Sequence, residues 1–326
     1  MAFAQNEFEE FHRKILLDLE ANQDLRDKRD TLLSELKDRI SDDAPSYRIF
    51  HQGSYELSTG VKPLHGDPDM DVGISFNCKP EDFPDSLDVK KYVKKAIERH
   101  NRTVKIKTPC VTVQYIENDG PKLHVDFAVY SEDLAGNTYL AIGKESNPSH
   151  ERIWRQSDAE GLTKTILDKF EGGERNQWRR IVRALKRWRD LKIGHGNIPS
   201  IGLTVAAWKW FQKSDDPVDG QDRDLEALLN LVNSMLNGWA LSRLYMASPV
   251  APWNDLFGKC TLIQMDDFKQ KLEKLRDSLK DAMDQADTHE ACKILRNQFG
   301  DDFPVPEKEN TTKNTVQTFQ TTGRSA

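Results

Sequence analysis

The chain has 326 residues, with 47 Lys and Arg against 53 Asp and Glu and a formal net charge of -6. Its length suits two domains or one large one, and a dedicated nucleic-acid coat protein would be basic rather than acidic. The sequence contains no apolar run near the roughly 18 residues of a transmembrane helix and no start typical of a signal peptide. Four scattered cysteines are typical of a reducing compartment, so we expect a cytoplasmic protein.

The first predicted element is one long amphipathic helix over residues 5–40, where apolar side chains recur near helical spacing. From about residue 46 the pattern changes to short alternating or apolar runs that are typical of strands. We predict strands at residues 47–51, 70–76, 104–107, 111–116, 122–130 and 139–142. Residues 89–100 are predicted as a lysine-rich helix between them, and Asn118-Asp119-Gly120 as a hairpin turn.

After about residue 157 the sequence becomes helical again. Ser157, with Glu160 three residues later, has the spacing of a capping box, and Gly172-Gly173 is predicted to stop the helix that begins there. Further helices are predicted at residues 175–191, 199–212, 224–242, 266–283 and 288–299. We therefore divide the chain into a core (1–156), a helical lobe (157–306) and a polar tail (307–326) that we predict to be disordered.

The segment most informative about chemistry is Asp69-Met70-Asp71, which lies at a predicted strand. Side chains alternate along a strand, so both carboxylates share one face. They repel each other unless a cation lies between them, and hard oxygen ligands suit Mg²⁺. Asp126 adds a third carboxylate in an otherwise apolar strand, where an unpaired charge would be costly. We predict that Asp69, Asp71 and Asp126 are catalytic and bind two Mg²⁺ ions, for which Mn²⁺ can substitute.

Upstream, Gly53-Ser54 forms a small-residue turn directly after a predicted strand. Glycine lets a phosphate approach the backbone closely, and serine adds a hydroxyl donor. With the three acids, this turn predicts a triphosphate site for a two-metal in-line displacement at phosphorus. An Asp-x-Asp pair or a Gly-Ser turn alone is mostly a solvated loop, so the prediction depends on the ordered set.

A family resemblance rests on residues 51–76, which read HQGSYELSTGVKPLHGDPDMDVGISF, and on residues 124–130, which read HVDFAVY. These segments resemble the nucleotidyltransferase core shared with DNA polymerase beta, and more closely the bacterial cGAS/DncV-like nucleotidyltransferases (CD-NTases). The resemblance implies an α+β fold with a mixed sheet, a long N-terminal spine helix supplied by residues 5–40, and a C-terminal helical lobe like that of oligoadenylate synthetase.

The resemblance also implies an activity, the synthesis of a cyclic di- or trinucleotide second messenger from NTPs such as ATP and GTP. That activity would be Mg²⁺-dependent and would serve anti-phage signalling of the CBASS type through a downstream effector. The resemblance implies that the donor phosphates contact Gln52, Gly53, Ser54, Lys186 and Ser200. It further implies that Asp69 and Asp71 bind both metal ions, while Asp126 binds the one that activates the acceptor hydroxyl.

Alternatives remain open at this point. A template-independent polymerase that adds nucleotides to RNA ends, of the CCA- or poly(A)-adding type, would share the acids but need an RNA-binding surface. An inactive nucleotide-binding or scaffold protein is a second alternative. The basic stretch at residues 175–192 is more typical of a solvated face than of a nucleic-acid site, so we expect no nucleic-acid partner. We also expect no membrane partner, because the sequence has no apolar run of transmembrane length.

The tail also has two interpretations. It is a disordered end without a role, or, as the resemblance implies, it is conjugated through Ala326 by a partner protein of the E1/E2 type.

Overall fold

The computed structural model describes residues 4–18, 23–65, 68–115, 124–194 and 196–308. The hairpin turn predicted at Asn118-Asp119-Gly120 and the predicted tail beyond residue 308 lie outside these residues. The described chain folds as α+β, with a mixed sheet followed by a helical half. The predicted fold class is therefore confirmed, and each half has its own cluster of buried apolar side chains.

The N-terminal region contains two helices, α1 (Gln5–Ile15) and α2 (Gln23–Arg39), so the prediction of one helix over residues 5–40 is wrong. The backbone becomes extended at Leu16, which forms an isolated antiparallel bridge with Val61. The two helices pack against different cores, and one straight helix could not serve both. Phe8, Phe11 and Ile15 belong to the helical cluster, whereas the apolar face of α2 packs on the sheet.

Seven strands form the sheet in the order β1-β2-β5-β4-β3, with β6 pairing both β5 and β7. They are β1 (Tyr47–His51), β2 (Asp69–Phe76), β3 (Arg102–Ile106), β4 (Val111–Tyr115), β5 (His124–Glu132), β6 (Thr138–Ile142) and β7 (Ile153–Gln156). Between the described strands, β2 and β5 pair in parallel and the remaining pairs are antiparallel. The six predicted strands are present, and β7 was missed.

The sheet buries one face against helices. Met70, Val72, Ile74 and Phe76 of β2 are fully buried in a cluster shared with α2 and with α4 (Leu87–Ile97). Because side chains alternate along a strand, the odd-numbered residues of β2 point to the opposite face. That opposite face is where the predicted carboxylates lie.

The helical half differs in detail from its prediction. Its helices are α5 (Ala159–Leu167), α6 (Gly172–Lys192), α7 (Ser200–Trp210), α8 (Asp224–Asn237), α9 (Leu262–Asp284) and α10 (Thr288–Phe299). The N-cap of α5 is Asp158, not Ser157, and its carboxylate accepts the Gly161 N–H at 2.7 Å. Gly172-Gly173 begins α6 instead of stopping α5. A short strand pair, β8 (Trp239–Ala240) and β9 (Arg243–Leu244), follows α8.

Helix α6 lies at the centre of the helical half, and Trp178 and Trp188 are fully buried in its core. Its basic residues do not form the solvated face that the sequence suggested, because four of them are buried: Arg183, Lys186, Arg187 and Arg189. None of the helices in the described part of the chain combines the length and apolarity of a membrane span. The domain boundaries stay a prediction.

Candidate active site

The three predicted carboxylates lie on the two parallel strands at the middle of the sheet. Asp71 of β2 is the register partner of Asp126 of β5, and Asp69 is the partner of His124. All four side chains project from the face that is not packed on α2 and α4, because each strand alternates. The fold therefore places the acids side by side in the polar layer that faces the Gly-Ser segment.

The surroundings of Asp69 and Asp71 raise the pKa of both carboxylates. Burial raises the pKa of Asp71 to about 6, and the negative charges of Asp126 and Asp69 act in the same direction. The pKa of Asp69 is also raised by burial and by Asp126, although His124 opposes this shift with Nδ1 3.3 Å from Asp69 Oδ1. A nearby cation would favour the charged forms, so this face is electrostatically suited to bind one.

Asp126 has a hydrogen-bond partner that the sequence did not single out. The hydroxyl of Thr112 donates to Asp126 Oδ1 at 2.5 Å, and the two residues face each other in the antiparallel register of β4 and β5. Strand alternation alone could not identify Thr112, because the register depends on how the hairpin closes. The hydroxyl of Thr112 therefore orients the carboxylate of Asp126 in this structure.

Gly53 begins the four-residue helix α3 (Gly53–Glu56) directly after β1. Its φ is +68°, and a Cβ at this position would stand 2.7 Å from Asp71 Oδ2. Only glycine suits both the left-handed backbone and the close approach to a carboxylate. The residue before it, Gln52, accepts the hydroxyl of Tyr130 through Oε1 at 2.9 Å, so this amide faces the sheet in the present structure.

The two predicted phosphate contacts from the helical half take different positions. Lys186 Nζ donates to the carbonyl oxygen and to Oγ1 of Thr59, each at 3.1 Å. Burial and the charge of Arg189 lower the pKa of Lys186 to about 7, while Asp71 acts in the opposite sense. Lys186 therefore contacts Thr59 and interacts electrostatically with Asp71. Ser200, the first residue of α7, accepts a hydrogen bond from Arg189 Nη2 at 2.9 Å.

Two further basic residues of α6 hold the segment that follows Gly53-Ser54. Arg179 Nε donates to the Leu57 carbonyl at 3.0 Å, and Arg183 Nη1 donates to the Ser58 carbonyl at 2.8 Å. Together with Lys186 they are spaced by four and three residues, which aligns them on one face of the helix. The sequence singled out Lys186 because of its motif, but it carried no signal for the two arginines.

The donor set fits a hard divalent cation, because it consists of three carboxylates on one sheet face, and the pKa values of Asp69 and Asp71 are raised. Among the described residues, however, no three His, Cys, Asp or Glu side chains are already gathered into a metal site. Asp126 is directed to Thr112, and Asp69 to His124. The metal-binding role of Asp69, Asp71 and Asp126 stays a prediction.

Two protein-family models match the chain. The model described as "Cyclic GMP-AMP synthase DncV-like, nucleotidyltransferase domain" matches residues 47–130. The model described as "Cyclic GMP-AMP synthase, C-terminal domain" matches residues 175–312. Together they span well over half of the chain, and the first contains the Gly-Ser segment and all three predicted acids.

Solved structures share the fold over almost the whole chain. Vibrio cholerae DncV cyclic AMP-GMP synthase is 20% identical, with a TM-score of 0.62 and coverage of 93% of this chain and 87% of that one. The Bradyrhizobium diazoefficiens CD-NTase CdnG, solved with GTP, is 14% identical, with a TM-score of 0.69 and coverage of 91% and 95%. CdnC of E. coli MS115-1, solved with ATP, is 18% identical, with a TM-score of 0.65 and coverage of 92% and 98%.

At these identities the solved structures show a common fold, and the family models add the match in sequence. The two agree on a nucleotidyltransferase core followed by a helical C-terminal half. The chain belongs to the bacterial cGAS/DncV-like nucleotidyltransferases.

Proposed function

We propose that this protein joins NTPs, ATP or GTP among them, into a cyclic di- or trinucleotide that acts as a second messenger in anti-phage signalling of the CBASS type. The observation that carries the proposal is the placement of Asp69, Asp71 and Asp126 on one sheet face beside Gly53. The family match supports it. Vibrio cholerae DncV, which shares the fold, has been solved with the linear intermediate 5′ pppA(3′,5′)pG.

One group of residues in the site would bind the phosphates of the donor, and the three carboxylates would bind the metal ions. We propose that the donor triphosphate lies along Gly53 and Ser54, where backbone N–H groups and a hydroxyl can donate to phosphate oxygens. Lys186 and Ser200 would add donors from the helical half, and Gln52 would support the same segment. Mg²⁺ held by Asp69, Asp71 and Asp126 would neutralise phosphate charge and lower the pKa of the attacking hydroxyl.

Each round of transfer forms one bond and breaks one. The ribose hydroxyl oxygen of the acceptor attacks the α-phosphorus of the donor, the hydroxyl proton is lost, and the bond to the β-phosphate oxygen breaks to release pyrophosphate. The linear product retains the triphosphate of the acceptor nucleotide and, at its other end, the free ribose hydroxyls of the nucleotide that was added. The ring closes when that product rebinds with its own triphosphate in the donor position. The protein contributes mainly by positioning these groups in line.

The test is incubation of purified protein with labelled ATP and GTP and Mg²⁺, followed by phosphatase treatment and mass spectrometry. We expect a phosphatase-resistant cyclic product from the wild type and none from an Asp69→Asn/Asp71→Asn double variant. Asp88→Asn is the matched control, because Asp88 is an exposed acid at the start of α4. Failure of the wild type to form the product with either Mg²⁺ or Mn²⁺ would contradict the proposal.

Nothing in the comparisons favours the alternative of an enzyme that adds nucleotides to RNA ends. The burial of Arg183, Lys186 and Arg187 on α6 also removes part of the basic surface that such an enzyme would offer to RNA. A labelled RNA primer included in the same assay checks this alternative, since its extension would indicate a polymerase.

We further propose that a downstream effector binds the product, and that an E1/E2-like partner conjugates the chain through Ala326. That residue lies outside the described part of the chain. An Ala326→Glu variant should block conjugation in the presence of the partner while nucleotide synthesis continues. Conjugates formed by this variant would contradict the second part of the proposal.

A further inference from the structure

A cavity of about 410 Å³ lies where the end of α1 meets α3 and α6. Its walls come from residues 16–18, from the segment between Ser54 and Gly60, and from the first half of α6. None of the three predicted metal-binding carboxylates lines it, nor does Lys186. The volume is in the range of sites that bind small molecules. The cavity therefore lies beside the carboxylate face and not on it, and Ser54, a predicted contact of the donor phosphates, stands at the border between the two.

The lining carries an excess of positive charge. Helix α6 contributes Arg179, Arg180 and Arg183 to the walls. Arg180 is neutralised, because it forms ion pairs with Asp222 at 2.7 Å and with Asp224 at 2.6 Å.

Among the described residues Arg179 and Arg183 form no ion pair, although the charges of Glu56 and Asp224 act on them from farther away. They donate to the backbone carbonyls of Leu57 and Ser58, and within the described residues neither has a carboxylate at ion-pair distance. Asp18 is the one acidic residue among the described residues of the lining.

Arg183 is the arginine of the lining that leaves a buried nitrogen, Nε, without a hydrogen-bond partner among the described residues. It is only 8% exposed, and of its three guanidinium nitrogens only Nη1 has an acceptor within the described chain. Burial and the charges of Arg180 and Arg179 lower the pKa of Arg183 to about 10. A buried guanidinium with unused donors is unfavourable. An anion in the cavity would supply both the missing acceptor and the missing charge.

We propose that this cavity binds a small phosphorylated molecule, with Arg179 and Arg183 as its charged ligands. The two residues are four apart on α6, so their guanidinium groups lie one helical turn from each other. One guanidinium group can donate two parallel hydrogen bonds to two oxygens of a phosphate. Two guanidinium groups can therefore bind different oxygens of the same phosphoryl group. Ser58 and Asn176 line the same cavity and provide uncharged partners.

The position of the cavity connects such a ligand to the active site. Ser58 has a φ of +55°, which is unfavourable for a residue other than glycine, and its carbonyl is held by Arg183. A phosphate that engages Arg179 and Arg183 competes with these carbonyl contacts and so alters how the segment after Gly53 is held. We therefore assign the site a regulatory role. This role rests on the proposed function, but the binding of a phosphorylated molecule to the cavity is independent of that function.

Calorimetric titration of the full chain with inorganic pyrophosphate, in EDTA, tests the binding. Asn176 is exposed and lines the cavity, so Asn176→Glu adds a negative charge there without disturbing the core, and Asn176→Gln is its matched control. We expect about tenfold weaker binding by Asn176→Glu and a change within about twofold for Asn176→Gln. No binding by the wild type, or equal affinity in the two variants, would overturn the proposal.

Arg179→Gln should also weaken binding about tenfold, since it removes a charged ligand. Arg175→Gln is its control, because Arg175 donates to the carbonyls of Phe170 and Leu167 and does not line the cavity. Equal affinity in these two variants would exclude Arg179 as a ligand and overturn the proposed site.

A separate measurement tests the regulatory role. The rate of nucleotidyl transfer is measured with increasing inorganic phosphate for the wild type and for Asn176→Glu. We expect phosphate to change the rate of the wild type at concentrations that leave the variant unaffected. An equal response of both proteins contradicts regulation through this cavity. Absence of transfer in both contradicts the proposed function instead, while the calorimetric result still decides the site.

Discussion

Two aspartates, one in each half of the molecule, have opposite surroundings. Asp71 lies on the sheet beside two other carboxylates, and burial and their charges raise its pKa to about 6. Asp224, at the start of α8, is fully buried. Burial alone would raise its pKa too, but the imidazole of His12, with Nε2 3.3 Å from Asp224 Oδ2, and the hydrogen bonds from Arg180 lower it. Asp224, which is paired with a cation, stabilises the helical half. Asp71, which lies among like charges, is available to a ligand, and such perturbed pKa values are typical of functional sites.

Exchange of each aspartate for asparagine tests this contrast most strongly. We expect Asp71→Asn to lower the rate of nucleotidyl transfer about a thousandfold, since a metal-binding carboxylate is worth several kcal/mol, with no loss of stability. Asp224→Asn should lower the free energy of unfolding by about 3 kcal/mol, because Arg180 and His12 lose a charged partner. Single-turnover kinetics and urea unfolding measure the two effects, and a stability loss in both variants would erase the contrast.

Substitution of two glycines distinguishes the effect of the close approach to Asp71 from the effect of backbone strain. Gly53 and Gly136 both have positive φ, but only at Gly53 would a Cβ meet a carboxylate. We expect Gly53→Ala to lower kcat/KM about a hundredfold, because displacement of a site by about 1 Å costs that much, while Gly136→Ala leaves activity unchanged. Similar kinetics for both variants would show that the contact with Asp71 is unimportant.

The pH dependence of the free energy of unfolding should reveal the protonation of His12, which is buried beside Asp224 in the helical half. Burial lowers the pKa of His12 from 6.5 to about 4, although Asp224 opposes the shift. The unfolded chain therefore takes up this proton first, and stability present above pH 6.5 is lost as the pH falls toward 4. Relative to His12→Gln, we expect the wild type to lose about 2 kcal/mol over this range in chemical unfolding. Parallel curves would contradict the burial of a neutral imidazole.

The smallest expected effect concerns the hydroxyl that orients Asp126. Thr112→Val removes the hydrogen bond at 2.5 Å and should lower kcat about tenfold, because residues that orient metal ligands typically contribute 10- to 100-fold. We expect KM to stay unchanged and Thr112→Ser to restore kcat. A change in KM alone would instead place Thr112 in substrate binding.

The sequence predicts best where the physical signal is local. The placement of Asp69 and Asp71 on one face follows from strand alternation, and the position of Gly53-Ser54 follows from a turn after a strand. The end of α1 at Leu16 could not be predicted, because the helical pattern continues and only the two separate cores require the break.

The remaining differences have equally specific causes. Ser157 and Asp158 are both good N-caps, and only the tertiary structure selects Asp158. The contact of Thr112 with Asp126 depends on strand register, and the burial of Arg183 depends on the packing of α6 against residues 57–59. These are long-range features, for which a single sequence provides no periodic signal.

The break at Leu16 has a consequence for how the protein can be divided. Helix α1 comes first in the chain, yet Phe8 and Phe11 form aromatic contacts with Phe299 and Phe303 at the far end of the helical half. The sheet is thus inserted between two pieces of the helical half. A fragment that comprises residues 1–156 would expose the apolar face of α1 and aggregate. A fragment that begins at α2 and ends at residue 156 would lack that face and keep the apolar cluster of the sheet.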